Sequence, residues 1–143
     1  MTVKTILSAK SGEIISIEPT ASLETAVSVL AKHRIGALIV VGPDRRVVGI
    51  LSERDIVRAL AERGSTVLKE PLTHVMTCTV VTCGQWETVG GIMERMTTGK
   101  FRHVPVVEQD QLIGIVSIGD VVKHRLWQMQ QECAALRDYI QTA

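Results

Sequence analysis

Aromatic side chains are scarce in this chain, with two Trp, one Tyr and one Phe in 143 residues. Its core must therefore be built from aliphatic side chains, and at this length one compact body with a sizeable core is expected. Charge of one sign is also missing: 16 Lys and Arg stand against 15 Asp and Glu, a net +1, and the cations are scattered. A nucleic-acid protein needs a clustered basic face, so that class is excluded. The longest apolar run, Ile35 to Val41, falls far short of the roughly 20 residues that cross a bilayer, so no membrane partner is expected. The opening MTVKTILSAKSGE has no apolar segment of signal-peptide type, which predicts a cytoplasmic chain. The three cysteines, Cys78, Cys83 and Cys133, are odd in number and fit reduced thiols better than a disulfide framework. His74, Cys78 and Cys83 follow no zinc-ligand spacing, so no metal is expected.

What the chain does contain is a repeat. Val47 to Arg58 reads VVGILSERDIVR, and Leu112 to Lys123 reads LIGIVSIGDVVK. Gly49, Ile50, Ser52, Asp55 and Val57 recur as Gly114, Ile115, Ser117, Asp120 and Val122, an offset of 114 − 49 = 65 residues. A repeat of that length marks a duplicated supersecondary unit.

Each copy reads β-α-β-β-α. In the first, Ile14 to Ile17 is a short strand closed by Pro19. Ser22 caps a helix whose stripe is Leu23, Ala26, Val27 and Leu30. Ala37 to Val41 and Val47 to Leu51 form a strand pair around a Pro43-Asp44 turn, and Ser52 opens a helix that Gly64 stops. In the second, Thr79 to Thr82 is the first strand, Val89, Ile92, Met93 and Met96 form the stripe, and Gly99 ends the helix. Arg102 to Val107 pairs with Leu112 to Val116, and Ser117 opens the last helix. The predicted fold is α+β: two packed repeats (8–64 and 77–126) with approximate twofold symmetry, a connector (65–76) and a C-terminal helical extension (127–143).

The two G-x-x-S-x-x-D runs, the helix-strand junctions RIGALIVV and FRHVPVV, and the linker ending in VMT resemble a tandem cystathionine-β-synthase (CBS) domain pair, or Bateman module, of the stand-alone bacterial type. The resemblance covers about residues 8 to 126. It implies adenine-nucleotide binding in clefts between the repeats, with Ser and Asp of one repeat on the ribose and phosphate and the junction of the other on the adenine. One cleft would combine Ser52, Arg54 and Asp55 with Lys100, Arg102, His103, Val104 and Pro105. The other would combine Ser117 and Asp120 with Ile35, Gly36, Ala37 and Leu38, and Ile15 and Cys78 would lie near the bases.

The chemistry of these residue types agrees. A carboxylate accepts two hydrogen bonds from a ribose cis-diol. A Ser hydroxyl and helix N-terminal N–H groups suit a phosphate. Gly49 and Gly114 would permit close backbone approach. Ser-x-x-Asp before an apolar run is also a capping box, and both roles can coexist. The clefts differ in charge, since Gly119 stands in the place of Arg54 and Gly36 in the place of Arg102; Ile39 also stands in the place of Pro105.

After Asp120 the chain has no Pro or Gly, and Val122, Leu126, Met129, Cys133, Leu136 and Ile140 follow a 4-3-4-3-4 spacing. That is a coiled-coil seam, with its first turns expected on the chain's own domain and the remainder against a second copy. The expectation is a non-catalytic, homodimeric regulatory module for AMP, with ATP or NAD(H) as alternatives, that signals to an unknown partner protein. A ligand-free dimerisation scaffold is the second reading, and a small nucleotide-processing enzyme the third, for want of any nucleophile-base set.

Overall fold

A computed structural model describes residues 1–10 and 13–142. Among the described residues, five α-helices accompany two small sheets. The first sheet joins β1 (Ser16–Ile17), β2 (Ala37–Val41) and β3 (Val47–Ser52) in that order, with β1 parallel to β2 and β3 antiparallel to it. The second pairs β4 (His103–Glu108) with β5 (Gln111–Ser117), antiparallel. Both strand pairs slip register at the same place, between Val40 and Val41 and between Val106 and Val107. The expected α+β architecture of two like units with a C-terminal helix is present.

The helices follow from local chemistry. Ser22 accepts the Thr25 N–H at 3.2 Å and opens α2 (Leu23–His33), which buries Leu23, Ala26 and Leu30. Thr88 does the same for Gly91 at 3.1 Å and opens α4 (Val89–Gly99), which buries Val89, Ile92 and Met96. Ser52 opens α3 (Glu53–Arg63), which Gly64 stops. Gly99 is not the cap of α4. It is the last helical residue, where the Phe101 ring leaves no room for a Cβ, and Lys100 turns the chain at φ 57°. Arg34 does the same after α2 at φ 54°.

Thr79 to Thr82 is not a strand. Only Cys83 bridges the second sheet, in parallel with Val106. In the first sheet Ser16 is registered with Ile39; the counterpart of Ile39 is Pro105, which has no N–H to give that neighbour. The first strand of the first repeat is likewise shorter than expected, Ser16–Ile17 in place of Ile14 to Ile17.

The opening residues form a helix that sequence patterning did not show, α1 (Val3–Ala9). It packs on the second repeat, where Val3 and Ile6 are buried with Val89, Ile92, Met96 and Val121. The connector does the same for the first repeat, where Val67 and Leu72 join Leu23, Leu30 and Leu51. The backbone bonds are twins. Leu23 N–H donates to Glu70 O at 2.9 Å and Leu72 N–H to Ala21 O at 3.0 Å; Val89 N–H donates to Met1 O at 3.1 Å and Val3 N–H to Glu87 O at 2.9 Å. Met76 lies on Gly49 and Leu7 on Gly114, so the close approach at these glycines is by side chains of the chain itself.

α5 (Ile118–Thr142) runs unbroken for 25 residues. It packs on the second repeat's core through the buried Val121, one residue off the expected seam, with Ile118 half-buried beside it. Val122, Leu126, Met129, Leu136 and Ile140 are exposed from the first turn onward.

A Cβ on Gly114 would stand 2.6 Å from Leu7 Cδ2, whereas one on Gly90 would meet nothing within 4 Å. Gly114→Ala is therefore expected to cost about 1–3 kcal/mol through overpacking. Gly90→Ala should stabilise by up to about 1 kcal/mol. Urea unfolding of both variants measures the difference.

Candidate functional site

Strands β3 and β5 each end in a Ser that opens a helix, and the same triplet of contacts fixes both ends. Asp55 N–H donates to Ser52 Oγ at 3.3 Å, and Ser52 N–H donates back to Asp55 Oδ2 at 3.0 Å. Asp120 N–H donates to Ser117 Oγ at 3.1 Å, and Ser117 N–H to Asp120 Oδ2 at 2.9 Å. These are complete capping boxes, each satisfying two backbone donors. The first helical N–H is tied to the helix-strand junction of its own repeat: Glu53 N–H donates to Gly36 O at 3.0 Å, and Ile118 N–H to Arg102 O at 2.8 Å. Each carboxylate is thus held at a helix N-terminus, and in the first helix the Arg54 N–H finds no partner among the described residues.

Two clefts lie there. The first, about 540 Å³, is walled by Ser52, Arg54 and Asp55 on one side and by Lys100, Phe101, Arg102 and His103 on the other, with Thr77, Thr79, Val80 and Val81 across it. The structure therefore brings together six of the eight residues expected there. Val104 and Pro105 are buried behind the wall and do not line it. Gly36 and Ala37 reach this cleft too. Sequence reasoning missed Thr77, Val80, Val81 and Phe101. The signal was there in the linker VMT, whose threonine donates to both Asp55 oxygens at 3.4 Å.

The second cleft, about 410 Å³, is walled by Ile35, Gly36, Ala37 and Ser117, with Ile14, Ile15 and Ile113 adding apolar surface. Leu38 is fully buried and lines neither cleft. Asp120, expected in this cleft, stands behind Lys10 and does not line it; Lys10 Nζ, which does, donates to Asp120 Oδ2 at 2.9 Å and to Ile115 O at 2.9 Å. Sequence reasoning gave this cleft no cation; α1 supplies one. Burial works to raise the Asp120 pKa, but the hydrogen bonds and charge of Lys10, with those of Ser117, outweigh it and hold the carboxyl below its ordinary 3.8.

His103 lies between the clefts and lines both. Burial lowers its pKa from 6.5, and the charges of Lys10 and Arg102 lower it further against the pull of Asp120 and Glu53. Cys78 is exposed and lines neither cleft, while Cys83 is buried, with its thiol pushed up to about 11 by burial and by Glu87 against the pull of Arg95. No group of three or more His, Cys, Asp or Glu side chains suited to a metal occurs among the described residues. No described helix is long and apolar enough to cross a membrane.

Below pH 6.5 the unfolded chain takes up a proton at His103 that the folded chain resists, so folding loses stability as the pH falls through that value. The loss stops growing once the folded imidazole itself protonates. His103→Gln should flatten this limb of the stability profile, as read by thermal unfolding between pH 7.5 and 5.

The family model for the CBS domain matches residues 3–62 and 72–126. The CBS-domain containing protein ATU1752 from Agrobacterium tumefaciens is 43% identical in sequence, with a TM-score of 0.83 over 87% of this chain and 99% of that one. The CBS domain pair of protein MJ0100, solved in complex with 5′-methylthioadenosine and S-adenosyl-L-methionine, is 30% identical, with a TM-score of 0.77 over 91% and 98% of the two chains. The CBS domain protein PAE2072 from Pyrobaculum aerophilum, complexed with AMP, is 29% identical, with a TM-score of 0.75 over 84% and 89%. The chain spans 58%, 64% and 33% of the lengths of the first curated relatives that it matches.

Proposed function

We propose, from the premise that this chain belongs to the CBS domain family and carries two of its domains in tandem, that it is a non-catalytic regulatory module whose first cleft binds an adenine nucleotide. The observation that supports this most is the meeting of Asp55, Arg54, Lys100, Arg102 and His103 around one partly apolar cleft. The Asp55 carboxylate suits the ribose diol, since the neutral Thr77 hydroxyl at 3.4 Å is a weak competitor for it. Val80, Val81 and Phe101 offer apolar surface for a flat base. Cations and the Arg54 N–H suit a phosphate. AMP is the first candidate, in keeping with the AMP carried by the Pyrobaculum protein and the adenosyl ligands of MJ0100; ATP and NAD(H) follow. Binding rather than turnover fits the two carboxylates, each committed to its own helix end. Three free cysteines fit a cytoplasmic setting.

AMP at 100 times its dissociation constant should add about 2.7 kcal/mol. For this size that raises the melting temperature by about 2–4 °C per kcal/mol, and GMP should do less. Asp55→Ala should weaken AMP binding roughly 10- to 150-fold. Asp55→Asn, which still caps the helix, separates lost affinity from lost stability. No melting shift with any adenine compound would favour the second reading, in which the Ser-x-x-Asp boxes are caps alone and the chain is a dimerisation scaffold.

The same reading makes the chain a homodimer that reports to a regulated partner protein. Along α5 the seam of Leu126, Met129, Leu136 and Ile140 stands 54–64% exposed, with Trp127 and Tyr139 beside it. Val57 of α3, the counterpart of Val122, is exposed as well, so both helices present equivalent apolar faces. A lone helix of this length is marginal in water, and a second copy meeting it about a twofold axis covers the seam. Truncation after Leu126 should shift the protein toward monomer without unfolding the repeats. Light scattering on both chains is the check; a monomeric full chain would exclude the dimer.

A further inference from the structure

Equivalent elements build the two clefts, but the carboxylates at the two helix starts are met differently: Asp55 lines the first cleft, while Asp120 is screened from the second by Lys10. Asp55 faces only neutral hydroxyls among its hydrogen-bonding side chains, Thr77 Oγ1 at 3.4 Å from each oxygen and Ser52 Oγ at 3.1 Å from Oδ2. Its nearest cation, the largely exposed Arg58, stands 4.0 Å away. Asp120 faces an ammonium. Lys10 Nζ makes two full-length bonds, each 2.9 Å, to Asp120 Oδ2 and to Ile115 O of the strand beside it. Lys10 arrives there because Leu7, one turn earlier in the chain, is seated on Gly114 of the same strand. It caps α1 as well, its own N–H donating to Ile6 O at 3.1 Å.

The ammonium thus fills the donor position that a ribose hydroxyl would take at Asp120, and it lines the cleft itself. The ammonium adds charge attraction to the carboxylate that a neutral ribose hydroxyl in its place would lack. Resting on the reading that each Ser-x-x-Asp box takes a ribose, we infer that Lys10 is a built-in stand-in for ligand in the second cleft. The first cleft therefore fills first. The second accepts an adenosine ligand only when Lys10 leaves Asp120 for solvent, and this residue at the end of α1, outside the G-x-x-S-x-x-D runs, sets how tightly that cleft binds.

The test uses AMP and calorimetry in an Asp55→Ala background, where the second cleft alone reports. Adding Lys10→Met should tighten AMP binding about 3- to 10-fold, the range for a charge-assisted bond that is partly exposed. Unchanged or weaker binding in the double variant, with wild type still binding AMP, overturns the stand-in and leaves the first cleft untouched. Binding by none of the proteins removes the nucleotide reading and the stand-in together. A second measurement needs no substitution: amine labelling of Lys10 in the wild-type chain, read by mass spectrometry, should speed up when AMP is raised past filling of the first cleft. Labelling that slows or stays constant while a second AMP binds contradicts the displacement.

Discussion

The fold depends on a reciprocal exchange of lead segments. The stretch that introduces the first repeat covers the sheet of the second, with Leu7 on Gly114 and Val3 and Ile6 in its core. The stretch that introduces the second repeat covers the sheet of the first, with Met76 on Gly49 and Leu72 in its core. Fully burying each such aliphatic side chain is worth about 1.5–3 kcal/mol, so neither repeat completes its core from its own strands and helices. Gly is required at both crossings because the covering side chain lies where a Cβ would be. Within each repeat the helix start is fixed to that repeat's own helix-strand junction, Glu53 to Gly36 and Ile118 to Arg102.

The clefts are a consequence of that crossing. Each forms where a capped helix start from one repeat faces the helix-strand junction of the other, and each receives one residue from a lead segment beside its carboxylate. Because the lead segments differ in sequence, the residue delivered differs: a threonine in one cleft and a lysine in the other. Duplication made the clefts alike, and the unrepeated parts of the chain made them unequal. His103 lines both clefts, and Glu53 of the first and Lys10 of the second act on its pKa in opposite directions.

Much of this was legible from residue order. Capping serines, stripes at helical spacing and the G-x-x-S-x-x-D runs have local causes, so α2, α3, β2, β3 and the carboxylates of both clefts could be read directly. The misses are places where a distant partner decides. Thr79 to Thr82 has strand-like composition, but Pro105 denies it a neighbour. VKTIL at the start is too short to declare itself a helix, although its match to LTHVM in the linker, Val3 with Leu72 and Leu7 with Met76, was available as a weaker third repetition. Val104, Pro105 and Leu38 lie on the expected strands but are buried, because successive residues of β2 and β4 are covered on both faces of the sheet. Lys10 could not be placed at all without knowing that α1 crosses to the other repeat.

The central claim is that the first cleft is an adenosine site held open between the repeats. A crystal structure of the protein grown with millimolar AMP tests it most directly. The account predicts the ribose on Asp55, the base against Val80 and Val81, and the phosphate toward Arg54, Lys100 or Arg102. AMP bound away from Asp55, or an empty first cleft in a crystal whose packing leaves it accessible, would contradict it.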